Sequence, residues 1–368
     1  MKQKRIFPGL PIADFNPVSA SRRYGLGTVS TRRWLIFSGA VLTFCLNCGA
    51  AEAVDITQQL HRPVNRSQWR ESRDDADSLL RVGEQQYSSG SAQKTIDSGL
   101  RALEIYHDVG DFKAQGVTYD LLARAYIQLG LLKEAEDALR RRLAIARDTQ
   151  DFQGQIFALN NLTTLFLQKG ELTAALKTVT EALTVARSVK NIAGEGLSLS
   201  NLGLVTARLG NYHQAIKLYE QALYFRRQTG DAVGEANTLN NLGDAYLAAN
   251  NYQDTIGAYG VALRIAKIGS DRLNYLRAID GLVSAHSSVG RYERAFDLLE
   301  QRLAIAKELK NLGEELKAFE TYAQLYEQLG NFPTARNFYE RAILLARTLE
   351  DSKQELRLID RLTKILKR

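Results

Sequence analysis

The sequence predicts an all-α chain: a solenoid of about seven helix-turn-helix units followed by a C-terminal capping helix. Three observations predict it. Gly90, Gly130, Gly170, Gly210, Asn250, Gly290 and Gly330 recur at intervals of 40, each between two apolar-periodic stretches. Five residues further on stands a small or β-branched residue: Thr95, Ala135, Ala175, Ala215, Thr255, Ala295 and Ala335. A second row with the same period holds Asp111, Asp151, Asn191, Asp231, Asp271, Asn311 and Asp351. One fixed period over most of a chain is the mark of a repeat array, not of a compact catalytic domain.

Residues 1–53 read as an export signal or a membrane anchor. Arg32 and Arg33 precede an apolar stretch from Trp34 to Leu46, and Gly49-Ala-Ala51-Glu-Ala53 offers a small-residue cleavage site. A basic region, an apolar core of this length and such a site together make a secretory signal cut after Ala53. Thr31-Arg-Arg-Trp-Leu-Ile36 also fits a twin-arginine export pattern. The expected location is therefore periplasmic or cell-envelope, with membrane attachment only through the leader if it stays uncleaved. Both cysteines, Cys45 and Cys48, lie in the leader, so the chain beyond it has neither disulfides nor thiolate metal sites. The leader also holds seven basic and two acidic side chains, leaving 41 basic against 39 acidic beyond it. That balance is too even for a phosphate-binding stripe, so nucleic acid is not an expected partner. Residues 54–71 carry Pro63 and Trp69 without clear periodicity and read as a linker.

The units fill residues 72–350. In the unit centred on Gly210, Leu199, Leu202, Gly203 and Thr206 fall at i, i+3, i+4 and i+7, one face of a first helix. Ala215, Ile216, Tyr219, Ala222 and Leu223 form the matching face of a second. Between them glycine can take the left-handed conformation that ends a helix, and asparagine at 250 is the next most tolerant residue. The Asp/Asn row sits where a side-chain oxygen can cap the next first helix. Small residues at Gly83, Ala123, Gly203, Gly243 and Ala323, and at Ala102, Ala182, Ala222, Ala262 and Ala342, let the helices approach closely. A lone hairpin cannot bury its apolar face, so the units must stack. Residues 351–368 then supply the cap, with Leu356, Ile359, Leu362 and Leu366 expected against the stack and Lys353, Arg357, Lys364 and Lys367 outward.

No catalytic motif accompanies this pattern, and the chain reads as a non-enzyme without a cofactor. Its four histidines form no His-Glu-x-x-His pair, and there is no phosphate loop or Gly-x-Ser-x-Gly elbow. One cluster has metal-like spacing: Glu104, His107, Asp108 and Asp111 fall at i, i+3, i+4 and i+7. Carboxylates with one imidazole suit a hard or borderline ion such as manganese. A solvated helix end is the plainer account of the same residues.

The run Asn241-Leu-Gly-Asp-Ala-Tyr246, then Asn250-Asn-Tyr252, Ala258-Tyr259 and Ala262-Leu263, resembles the tetratricopeptide repeat (TPR) family in its longer-period branch. The resemblance covers roughly residues 72–368 and is weakest in the first unit, where Gln86 replaces the tyrosine and Gly99 the large residue. It implies a right-handed solenoid whose first helices line a concave groove for a segment of another protein. In peptide-binding members, asparagines of that helix hold the ligand backbone, a role the resemblance carries onto Asn161, Asn201 and Asn241. An amide suits the task because it donates and accepts at once. The row before it contains Asn160, Asn240 and Asp280, and the row three beyond holds Arg124 and Asp244, all further groove candidates. Acidic side chains cluster toward the C-terminal half, so a partner with a basic stretch is expected there. Leader and array together are similar to exported cyanobacterial-type TPR assembly factors, a group that includes processing-associated, manganese-binding members acting on a photosynthetic membrane complex. The sequence thus points to an exported adaptor or assembly factor. A periplasmic manganese carrier and a peptide-sensing regulator are the alternatives, and oligomeric state stays open.

Overall fold

The computed structural model describes residues 66–367, and every regular element among them is an α-helix. Seven hairpins follow one another. They are α1 (Arg66–Ser88) with α2 (Ala92–Asp108), α3 (Phe112–Gln128) with α4 (Leu132–Asp148), and α5 (Phe152–Lys169) with α6 (Leu172–Ser188). Next come α7 (Ile192–Arg208) with α8 (Tyr212–Gln228), α9 (Ala232–Ala248) with α10 (Tyr252–Ile268), α11 (Arg272–Ser288) with α12 (Tyr292–Glu308), and α13 (Leu312–Gln328) with α14 (Phe332–Thr348). A single helix, α15 (Ser352–Leu366), packs on the last hairpin. Each helix contacts its chain neighbours, and first helices of adjacent units also touch, as in α5 with α7 and α9 with α11. This is a solenoid. The export leader expected over residues 1–53 lies outside the described residues, and α1 already begins inside the stretch read as linker. No helix among the described residues is long and apolar enough to cross a membrane.

The turns form for the reason the sequence suggests. All seven residues of the Gly90 to Gly330 row have positive φ, from 59° at Asn250 to 84° at Gly210. The Asp/Asn row caps every first helix from α3 to α13, and α15 as well; the Asp151 carboxylate accepts from Gly154 N at 2.9 Å and Asn191 from Gly194 N at 2.8 Å. Each such cap is worth about 1 kcal/mol. A third row was not legible. The residue just before each cap is also left-handed: Gly110, Gln150, Lys190, Gly230, Ser270, Lys310 and Glu350. Five of the seven carry a Cβ, so no glycine signal marks the row.

Packing follows the small residues. Ala102, Ala182, Ala222, Ala262 and Ala342 are fully buried, as are Tyr219, Tyr259 and Tyr339. A Cβ on Gly243 would come within 2.8 Å of the Tyr259 ring and one on Gly281 within 2.1 Å, so this tyrosine fills space that two first helices leave for it. In α15 the buried pair is Leu358 and Ile365, with Ile359 and Leu362 packed beside them. Leu356 and Leu366, expected inward, are mostly exposed, because leucines stand on two sides of this helix and only one can meet the stack. Arg357, expected outward, reaches back to Glu320 at 2.6 Å.

The alanine row skips two units, and there the structure differs most from expectation. Arg142 and Arg302 occupy the alanine position and are buried all the same. Arg142 Nε donates to Asp120 of its own first helix and Nη2 to Asp151 of the next unit, both at 3.0 Å. Arg302 bridges Asp280 and Glu314 in the same way.

Candidate binding face

A hollow opens between two successive first helices, α11 and α13. It measures about 370 Å³ and is lined only by first-helix residues, among them Asp280, Ser284 and Ser287 against Lys317, Thr321 and Gln324. By the 40-residue register the same face carries residues 121, 124 and 128 of α3 and their counterparts in every later unit. The groove positions named from the sequence therefore do border a common face, but most are engaged within the array.

Asn160 and Asn240 do not present to it. Asn160 is buried and donates to Ser198 Oγ at 2.9 Å, while its Oδ1 accepts from Asn201 Nδ2 at 2.9 Å. Asn240, also buried, donates to the backbone and side-chain oxygens of Asn274 at 3.1 Å. Their row lies at the seam between units, with only its edge toward the groove. Asn241 is buried too; it donates to Asn237 and accepts from Arg277 at 2.6 Å. Arg277 also holds Asp244 at 2.5 Å, and the other oxygen of Asp244 accepts from the Tyr259 hydroxyl. Burial, with the Asp244 charge beside it, pushes the Tyr259 phenol above its ordinary range, so it stays a donor. Asp280 is held by Arg302, and Arg124 pairs with Glu84 at 2.5 Å over the Tyr87 ring.

The expected attraction for a basic partner loses its basis here. Glu84, Asp244, Asp280 and Glu320 each have an arginine partner. The acidic row is already neutralised by its neighbours, which the sequence alone could not show because the arginines come from 22 to 40 residues away.

Of the groove positions named from the sequence, those left open lie on α5 and α7. Asn161 is exposed with its amide unengaged, between exposed Phe157 and exposed Thr164. Beside it Asn201 spends only its NH2 group, leaving Oδ1 to accept. Half-buried Leu204 and exposed Arg208 follow on α7, and Arg208 has no carboxylate partner among the described residues. Phe157 and Arg208 escaped the sequence reading; they lie four residues before Asn161 and four after Leu204, on the same helical stripe.

The metal-like cluster is not gathered. Its helical spacing assumed a continuous helix, but α2 ends at Asp108. Asp111 instead caps α3 through Ala114 N at 3.0 Å and pairs with Arg73 at 3.0 Å. His107 and Asp108 are both about 80% exposed. Among the described residues no group of three His, Cys, Asp or Glu side chains is placed to hold a metal ion.

Stacked helical hairpins with a polar face along their first helices define a helical-repeat scaffold. Tetratricopeptide repeat models match residues 118–151, 195–268, 278–312 and 316–349, and an anaphase-promoting complex subunit 5 model matches residues 155–194. The chain is a tetratricopeptide repeat protein. No curated protein matches it. Among solved structures it is similar to a signal transduction ATPase with a tetratricopeptide repeat sensor from Pyrococcus horikoshii, at 19% identity and a TM-score of 0.58. That match covers 81% of this chain but only 45% of the Pyrococcus protein. It is also similar to the apo form of RapI, at 14% identity over 75% of this chain and 99% of that one, with a TM-score of 0.58. A Rap protein complexed with competence and sporulation factor matches at 12% identity over 82% and 98% of the two chains, with a TM-score of 0.54. At these identities the likeness is one of fold.

Proposed function

We propose that this chain is a protein-interaction scaffold without chemistry of its own, and that it holds an extended segment of another protein across α5 and α7. The observation that carries this is the unspent polar row on those two helices. Asn160, Asn240, Asn241, Asp244, Asp280 and Arg124 are committed to neighbours, whereas Asn161, one oxygen of Asn201 and the Arg208 guanidinium have no partner among the described residues. Phe157 and Leu204 add apolar surface. From the level of Phe157 to that of Arg208 is about 16 Å at 1.5 Å per residue, the reach of about five extended residues. A segment with an apolar side chain on Phe157, its backbone on Asn161 and a carboxylate at Arg208 fits that order. A basic stretch does not. The Rap protein complexed with a sporulation factor supports the reading by showing an array of this fold with a bound factor.

The narrower reading is an exported adaptor or assembly factor, supported by the leader over residues 1–53; a membrane complex, including a photosynthetic one, is the client class we favour. A manganese carrier loses support, because its candidate residues are not gathered. A photo-crosslinking residue at Thr164, compared with one at Lys217 on α8, tests the site in the envelope fraction. We expect a client captured from 164, lost on Asn161→Ala with Arg208→Glu, and absent from 217. Equal capture from both positions would move binding off this face.

A further inference from the structure

A second surface, on units 5 and 6, has the makings of a contact between two copies of this chain. A hollow of about 360 Å³ opens between the C-terminal ends of α10 and α12 and the start of α11. Its apolar lining includes Ala266, Leu276, Ile305 and Leu309. Ile268 and Leu273, next in the chain to its lining residues Lys267 and Arg272, are 81% and 80% exposed, the most exposed large aliphatics among the described residues.

The hollow has a cause in the sequence. In the first two seams a buried glutamine fills this place: Gln115 donates to Tyr106 O at 3.0 Å and Gln155 to Ala146 O at 3.1 Å. In the next two Glu195 and Glu235 stand there, paired with arginines. The register puts Tyr275 there instead, and its hydroxyl turns away toward Gln301. Leu276 behind it is only half-buried, where Ile156, Ala236 and Leu316 are buried at the same position.

The charges around the hollow are of both signs and unspent. Lys267, Arg272 and Glu308 are exposed and have no ion-pair partner among the described residues. One patch therefore presents an apolar projection, an apolar recess, free cations and a free carboxylate. A foreign partner would need only one of each pair of complements. A surface that carries both halves matches itself about a two-fold axis, where residue i of one copy meets residue j of the other and the reverse. We propose that this patch is an isologous dimer interface, with Ile268 and Leu273 of each copy in the other's hollow and Lys267 or Arg272 facing the other's Glu308.

The test is sedimentation velocity on the full chain from about 1 to about 100 µM, the range in which a contact of this size would dissociate. The expected result is a concentration-dependent dimer. Ile268→Asp with Leu273→Asp should weaken it by at least about tenfold, equivalent to 1.4 kcal/mol. All five residues to be changed are exposed, so thermal unfolding by circular dichroism should stay within a few degrees of the parent. Glu308→Lys should weaken the dimer, and Lys267→Glu with Arg272→Glu in the same chain should restore it. A parent that is monomeric throughout, or a dimer indifferent to Ile268→Asp and Leu273→Asp, would overturn the proposal. Failure here leaves the α5–α7 face untouched, since the two surfaces share no residue.

Discussion

Units 2 and 6 join their followers through a buried arginine that bridges two carboxylates, whereas at the same register units 3, 4 and 5 pair uncharged groups. Those three keep their cross-seam ion pairs, such as Arg226–Asp231 and Arg277–Asp244, at other positions. The same register position decides which. It holds Asp120 and Asp280 where Arg142 and Arg302 lie 22 residues on. It holds Asn160, Ser200 and Asn240 where alanine lies 22 residues on. In the second set the seam closes directly: Asn160 to Ser198, Ser200 to Thr238 at 3.1 Å, and Asn240 to Asn274. One backbone thus supports two chemistries at the seam, and the second helix chooses. A guanidinium long enough to span two units needs a carboxylate at each end, and a methyl in its place brings the first helices near enough for short side chains to meet.

The two kinds of seam should fail differently, and the largest effect belongs to the arginine. Arg302→Ala leaves Asp280 without its cation and Glu314 with Lys317 alone, and loss of such a partner costs about 3–5 kcal/mol where the pair is buried. Asp280 is half-exposed, which places the cost toward the lower end. Because repeat arrays unfold in pieces, the measurement is native-state hydrogen exchange, read helix by helix. Amides of α12 to α14 should lose protection while those of α5 to α9 keep theirs. Replacing the whole triad by apolar residues of similar volume should recover most of the loss. Equal loss along the entire array would mean the seams do not act independently.

A neutral seam gives a smaller effect. Asn160→Ala removes the partner of Ser198 and of Asn201 in a buried place, for about 1–3 kcal/mol. Protection should fall in α5 and α7, and the change needs no second-site rescue because no charge is stranded. Asn161→Ala is the control one residue along: exposed and unbonded, it should leave stability within about 0.5 kcal/mol while weakening partner capture. Matching losses from both substitutions would contradict the division drawn here between seam and groove.

Much of this architecture could be read from the chain, and its failures have a common cause. Turn glycines, helix caps and close-packed alanines are local choices, repeated seven times, and each recurs at its expected place. Asn161 and Asn241 look alike on the same grounds. They part company because Arg277, 36 residues from Asn241, occupies its oxygen, while Asn237, one helical turn earlier on α9, accepts from the Asn241 amide. Pairing across seams depends on side chains a whole unit apart, which periodicity aligns but does not connect. The buried arginines show the same gap. They stood out in the alanine row only as omissions, and nothing local marks an arginine as buried.

The left-handed row between units gives the smallest and most general test. Gln150, Lys190, Ser270, Lys310 and Glu350 all adopt φ between 51° and 56°, a region where a Cβ crowds the following carbonyl at about 1 kcal/mol or more. Gly110 and Gly230 occupy the same place without that strain. The glycine cost in the unfolded chain offsets part of the gain, so each change to glycine should stabilise by about 0.5–1 kcal/mol. Gln150 adjoins the Arg142 seam, at Asp151; Lys190 adjoins the neutral one. If the seams are independent modules, Gln150→Gly and Lys190→Gly should stabilise by similar amounts and add when combined. A gain at Lys190 without one at Gln150 would mean that the Arg142 bridge, by fixing Asp151, already holds the turn in its left-handed form, and that the charged seams stiffen the array more than their hydrogen bonds alone imply.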